Sequence, residues 1–139
     1  MASILLATDG SEDARTAATR AIALADERDT ALYVICVVDE RRFSDPALSS
    51  AELATIYASD HADLCVGDVT RMAEKRQVPV EGTTRHGVPH EVILGYADEV
   101  DAEVIVVGEH GDHEEHFSGV GRAVADRADC EVVVVDADA

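Results

Sequence analysis

The chain of 139 residues has no tryptophan, and its three Tyr and two Phe make up only 4% of it. Any core must therefore be packed from Val, Ile, Leu and Ala, and the length suits one domain, 1–139, closing one such core. The three cysteines, Cys36, Cys65 and Cys130, are odd in number, far apart and without a CxxC pair. That argues against a disulfide frame or a thiolate zinc site and reads as three reduced, structural thiols. No apolar run approaches the roughly 20 residues that span a membrane. The N-terminus, MASILLATDG, lacks a basic segment ahead of its apolar residues and meets Asp9 too early for a secretory signal, so a cytoplasmic location is expected. Lysine is nearly missing, Lys75 being the single one. Without a basic patch, binding to nucleic acid or to an anionic membrane is not expected.

What the chain has in excess is acid: 29 Asp and Glu against 11 basic residues, a net charge of −18 spread along its length. A 47% share of hydrophobic residues keeps it globular rather than disordered. Self-repulsion of this size strains a compact fold in dilute buffer, whereas at about 1 M salt the screening length is only ~3 Å. Acid-rich, lysine-poor chains resemble the proteins of salt-in halophiles, and a haloarchaeal cytoplasm is the expected setting.

Apolar patterning divides the chain into alternating strands and helices. Ile4–Thr8 is a short strand that ends in Asp-Gly-Ser, and Ser11 is a suitable N-cap with Glu12 and Asp13 in the first helical turn. Ala14, Ala17, Ala18, Ala21, Ile22 and Ala25 then recur at helical spacing. Leu32–Val38 (LYVICVV) is continuously apolar, the mark of a strand buried on both faces of a parallel sheet. A polar stretch over 39–50 reads as a loop, and 51–76 as a long helix carrying Leu53, Ile56, Leu64, Cys65 and Met72. A strand near 78–85 alternates weakly and suits an edge. Pro89 opens a helix to about Val100 with Val92, Ile93, Tyr96 and Ala97 inward. Strand 104–107, a helix over about 119–127 and the strand Val132–Val135 complete a β-α-β-α-β-α-β-α-β order with no internal repeat. That order predicts an open parallel sheet with helices on both faces. Ligands of such sheets sit at the carboxyl ends of the strands, which singles out Asp9, Asp39, Arg85–His86 and Gly108–Gly121.

The last of these, GEHGDHEEHFSGVG, follows a strand and precedes a helix. Its glycines permit close backbone approach to an anion, and the next helix offers free N–H groups to a phosphate; a plain turn remains the alternative. Neither the Walker lysine motif nor G-x-G-x-x-G is present. His110, His113 and His116, with Asp112 and Glu114, form a second candidate, a loop for Zn²⁺ or Ni²⁺. Against it, spacings of three share a face only in a helix, and Gly111 argues for a loop. His86 and His90 read as a turn residue and a first-turn helix residue. Ser11 and Ser118 lack the His–Asp partners of a nucleophile and read as cap and loop residues, so no catalytic residue is expected.

Four motifs together resemble the universal stress protein family over essentially the whole chain: Ala7-Thr8-Asp9-Gly10-Ser11, Val37-Val38-Asp39-Glu40, Gly87-Val88-Pro89-His90-Glu91-Val92-Ile93, and G-2x-G-9x-G from Gly108. The resemblance implies a five-stranded, Rossmann-like parallel sheet in the order 3-2-1-4-5 and a homodimer through the last strand, Val132–Val135. It also implies ATP or AMP, with or without Mg²⁺, as the bound molecule, and at most slow hydrolysis. Carried onto this chain, it sets Ala7 and Val37 against the adenine and Asp9 at the ribose or adenine edge. Gly108, Gly111 and Gly121 approach the phosphates, with Thr8, His110, Arg122 and Ala123 completing the site. Two departures stand out. The family's nucleotide-binding branch carries Ser or Thr after the last glycine, where this chain has Arg122, which can either grip a phosphate or turn away to loop acids. The loop also carries Glu109, Asp112, Glu114 and Glu115, whose repulsion weakens triphosphate binding by roughly tenfold to a thousandfold at low salt unless Mg²⁺ intervenes. Two other readings stay open: a dimeric interaction module without nucleotide, and a metal-binding loop protein.

Overall fold

The computed structural model describes residues 3–8, 12–38, 48–108 and 120–135, with backbone alone for 12–14, 48–61 and 120–122. The elements run β1 (Ser3–Ala7), α1 (Glu12–Glu27), β2 (Leu32–Val38), α2 (Leu48–Lys75), β3 (Val80–His86), α3 (Pro89–Glu99), β4 (Ala102–Gly108), α4 (Val120–Arg127) and β5 (Glu131–Val135). The strands form one parallel sheet ordered β3-β2-β1-β4-β5, the order that the sequence implies.

Strand side chains alternate between two faces, and both faces are covered. Ile4 and Leu6 of β1, Leu32, Val34 and Cys36 of β2, and Val104 and Val106 of β4 pack under α1 and α2. Leu5 and Ala7, Ile35, and Ile105 and Val107 pack under α3 and α4 with Ile93, Tyr96 and Val124. Apart from Ser3, whose hydroxyl donates to the Val100 carbonyl at 2.9 Å, the buried positions of the three central strands are thus apolar, which is why their sequences read as nearly unbroken runs. α1 lies close to the sheet because alanines (Ala17, Ala18, Ala21, Ala25) line its buried stripe.

Two element starts and one helix face differ from the sequence reading in ways that have a local physical cause. α2 begins at Leu48 rather than at 51, since Ser49 and Ser50 oppose a helix by only about 0.5 kcal/mol each. β3 begins at Val80 rather than near 78, because Val78 closes the end of α2: its N–H donates to the Ala73 carbonyl at 3.0 Å. Within α2 the buried stripe is Ala62, Val66, Val69 and Ala73, so Leu64 and Met72 face outward, 65% and 36% exposed. Leu64 lies two residues, about 200°, from the nearest members of that stripe.

Candidate functional site at the carboxyl edge of the sheet

β1 lies between β2 and β4, and the strand order reverses there, the place where sheets of this kind open a crevice at the carboxyl ends of their strands. Ala7 stands opposite Ile35 on one side and Val107 on the other. The next residue, Thr8, donates its N–H to the Ile35 carbonyl at 2.9 Å, which holds the end of β1 against β2. β2 runs on past this point to Val37 and Val38, and the Gly87 N–H donates to the Val38 carbonyl at 3.0 Å. β4 continues one residue beyond the partner of Ala7, to Gly108. Thr8, Val37 and Gly108 therefore share one edge of the sheet.

Burial sorts these residues into floor and rim. Ala7 is 1% exposed and Thr8 3%, so both lie beneath the crevice rather than on its surface. Ala7 belongs to the cluster with Ile35, Ile93, Val107 and Val124. Val37 is half-buried on the same face and supplies an apolar rim. Gly121, Arg122 and Ala123 sit in the first turn of α4, where backbone N–H groups lack intrahelical acceptors. Asp9, His110 and Gly111, like His113 and His116 of the metal reading, lie outside the described residues. Among the described residues no group of three or more His, Cys, Asp or Glu side chains could hold a metal ion.

The flank of the crevice is fixed by residues whose role is structural. Gly87 has φ +144°, a conformation glycine alone adopts without strain, and it turns the chain from β3 into α3. No side chain caps α3, but Pro89 at its start needs no acceptor for a missing N–H. Arg85 lies 4.5 Å from the centre of the Tyr96 ring and bonds Glu99 at 2.5 and 3.3 Å, so it is committed to α3 rather than aimed at a ligand. That bond holds the Glu99 carboxyl below its usual range, while burial pushes the Tyr96 hydroxyl up. His90 meets Arg127 at 2.6 Å and joins α3 to α4. The thiol of Cys130 is raised by burial, as befits a structural cysteine.

A second concavity lies between α1 and α2, reaches Thr8 at the end of β1, and includes Arg15, Arg71 and Lys75. Arg15 stands 56 positions before Arg71 and 60 before Lys75, and none of the three belongs to a motif.

Comparison with known proteins bears on the whole chain. Residues 1–136 match the model of the universal stress protein family. A universal stress protein of Methanocaldococcus jannaschii is 33% identical over 136 residues, covering 95% of this chain and 80% of the relative. The structure of the universal stress protein UspA from Lactobacillus plantarum superposes with a TM-score of 0.85 at 24% identity, covering 96% of this chain and 97% of that one. A universal stress protein from Archaeoglobus fulgidus, solved in complex with dAMP, shares the fold with a TM-score of 0.64 at 24% identity, over 97% and 98% of the two chains. With the sheet order and a family match over residues 1–136 in agreement, the chain belongs to the universal stress protein family.

Proposed function

We propose that this protein binds an adenine nucleotide, AMP or ATP, in the crevice above β1, and acts as a regulatory or stress-response protein rather than an efficient enzyme. The observation that carries the reading is the convergence of Thr8, Val37, Gly108 and the first turn of α4 on one edge of the sheet at the point where strand order reverses. The donor set fits such a ligand: Val37 offers an apolar surface to the base, and the free N–H groups of α4 suit a phosphate. A relative of the same fold binds dAMP, which supports the adenine assignment. Asp9 at the ribose and Gly111 with His110 at the phosphates belong to the same proposal. The acidic loop favours AMP, or ATP accompanied by Mg²⁺, over ATP alone.

The test is calorimetric titration with AMP, ADP and ATP, with and without Mg²⁺, at about 1 M KCl where surface charge is screened. One nucleotide per chain is expected. Absence of heat with all three overturns the proposal and leaves an interaction module. Arg122→Ser then assigns Arg122: weaker binding makes it the phosphate ligand, tighter binding an obstruction.

We further propose a homodimer through β5. This strand is at the sheet edge, paired with β4 alone among the described strands, and Val134 on it is 42% exposed. An apolar, unpaired edge invites a second strand. Light scattering of the wild type and of Val134→Lys should show a dimer and its dissociation; a monomeric wild type refutes it.

A further inference from the structure

Between α1 and α2 the structure holds a cleft of about 520 Å³, on the face of the sheet away from α3 and α4. Leu64, Val69 and Met72 give it an apolar lining, and Leu64 and Met72 are two of the three large apolar side chains exposed among the described residues. Arg15, Arg71 and Lys75 line it too, against one carboxylate, Asp68.

This excess of positive charge stands out on a chain of net charge −18. Elsewhere the described arginines are mostly bound: Arg28 to Glu103 and Glu131, Arg76 to Asp26, Arg85 to Glu99, and Arg127 to His90. In the cleft Arg71 pairs with Asp68, but Arg15 and Lys75 have no ionic partner among the described residues. These two cations beside exposed apolar side chains, in a volume typical of small-ligand sites, match a molecule that is apolar along its length and negative at one end. Thr8 is the one neutral polar side chain of the lining, so little there could read a nucleobase. Asp68 disfavours a dianion more than a monoanion.

We propose that this cleft binds a small alkyl carboxylate, its head between Arg15 and Lys75 and its chain along Leu64, Val69 and Met72. The test uses the full chain, at a salt concentration where circular dichroism shows it folded, titrated with octanoate, decanoate and dodecanoate below their micelle concentrations. Binding should be 1:1 and tighten about fourfold per added methylene. Decyltrimethylammonium, with the opposite charge, should bind at least about tenfold more weakly. Arg15→Gln with Lys75→Gln, both at the surface and outside the core, should weaken decanoate about tenfold with an unchanged circular dichroism spectrum. Leu64→Ser should flatten the dependence on chain length. AMP should not displace decanoate, which keeps the result separate from the nucleotide proposal. No saturable binding, equal binding of the cationic probe, indifference to the double substitution, or displacement by AMP would each overturn the proposal. Decyl phosphate binding as tightly as decanoate overturns the carboxylate head.

Discussion

At Gly82 of β3 only a hydrogen fits. A Cβ there would stand 2.2 Å from Val66 Cγ1 and 3.3 Å from Thr70 Oγ1 of α2. Neither neighbour is free to retreat: Val66 is buried in the core, and the Thr70 hydroxyl donates to the Val66 carbonyl at 2.8 Å. The glycine, costly in a strand for its entropy, is thus what lets a helix lie directly on an edge strand. Gly82→Ala should cost about 1–3 kcal/mol in denaturant unfolding, from overpacking. Val66→Ala alone should also destabilise, but the double variant should be more stable than the sum of the two losses, since each relieves the other's misfit. Strict additivity, or an unchanged Gly82→Ala, would mean that α2 does not rest on β3 as described. The same residue-level view limits what the motifs can reveal. Ala7 and Val37 are equally apolar in the sequence, yet burial makes one a floor and the other a rim, and only the tertiary packing of Val124 and Ile93 decides which.

At the scale of elements, the helix ends follow one rule. Asp29, Gln77 and Asp101, with φ of 54°, 60° and 55°, each lie two residues past the last residue of α1, α2 and α3. After α1 and α2 the same pair of bonds closes the end: Thr30 N–H to Ala25 and Asp29 N–H to Asp26, then Val78 N–H to Ala73 and Gln77 N–H to Glu74. This is the Schellman arrangement, whose left-handed residue is normally glycine. Gln77→Gly should therefore raise stability by roughly 0.5–1 kcal/mol by removing the Cβ clash, whereas Arg20→Gly inside α1 should lower it by about 1 kcal/mol. A loss from Gln77→Gly in chemical denaturation would refute the assignment. The missing glycine also explains how far the fold was legible. Strands β1, β2, β4 and β5 announce themselves as apolar runs, and the α3 start is marked by Pro89. With Gln at the end of α2 and a valine just after it, Val78 looks like strand, and β3 is read two residues early. Leu64 and Met72 look like core for a related reason: a helix so rich in apolar residues carries more than one plausible stripe, and the sheet selects among them. The cleft between α1 and α2 has no signature at all, because Arg15 and Lys75 come to line one cavity only through the fold.

For the molecule as a whole, charge is the dominant constraint. The described ion pairs lie at the surface: Arg28–Glu103, Arg76–Asp26 and Arg85–Glu99 all join side chains at least 38% exposed, a setting where each contributes about 0–1 kcal/mol. Eleven basic residues cannot neutralise 29 acids even if all pair, so the balance of the surface repels itself. The core that resists this repulsion is aliphatic, one cluster on each face of the sheet, and it holds no charged residue for salt to screen. Raising ionic strength from about 0.1 to 1 M shortens the screening length from ~10 to ~3 Å, below the spacing of most surface charges. Repulsion then fades while the few close pairs, being weak, forfeit little. The melting temperature should accordingly rise with KCl across this range, and most steeply at its lower end, where the screening length changes fastest. Replacing several exposed acids at the opposite, amino edge of the sheet, such as Asp98, Asp101 and Asp129, by Asn should flatten the curve by raising its low-salt end. A melting temperature that is constant or falls from 0.1 to 1 M would show that the acid surface is not the strain its count implies. It would also remove the physical ground for expecting a salt-rich cytoplasm.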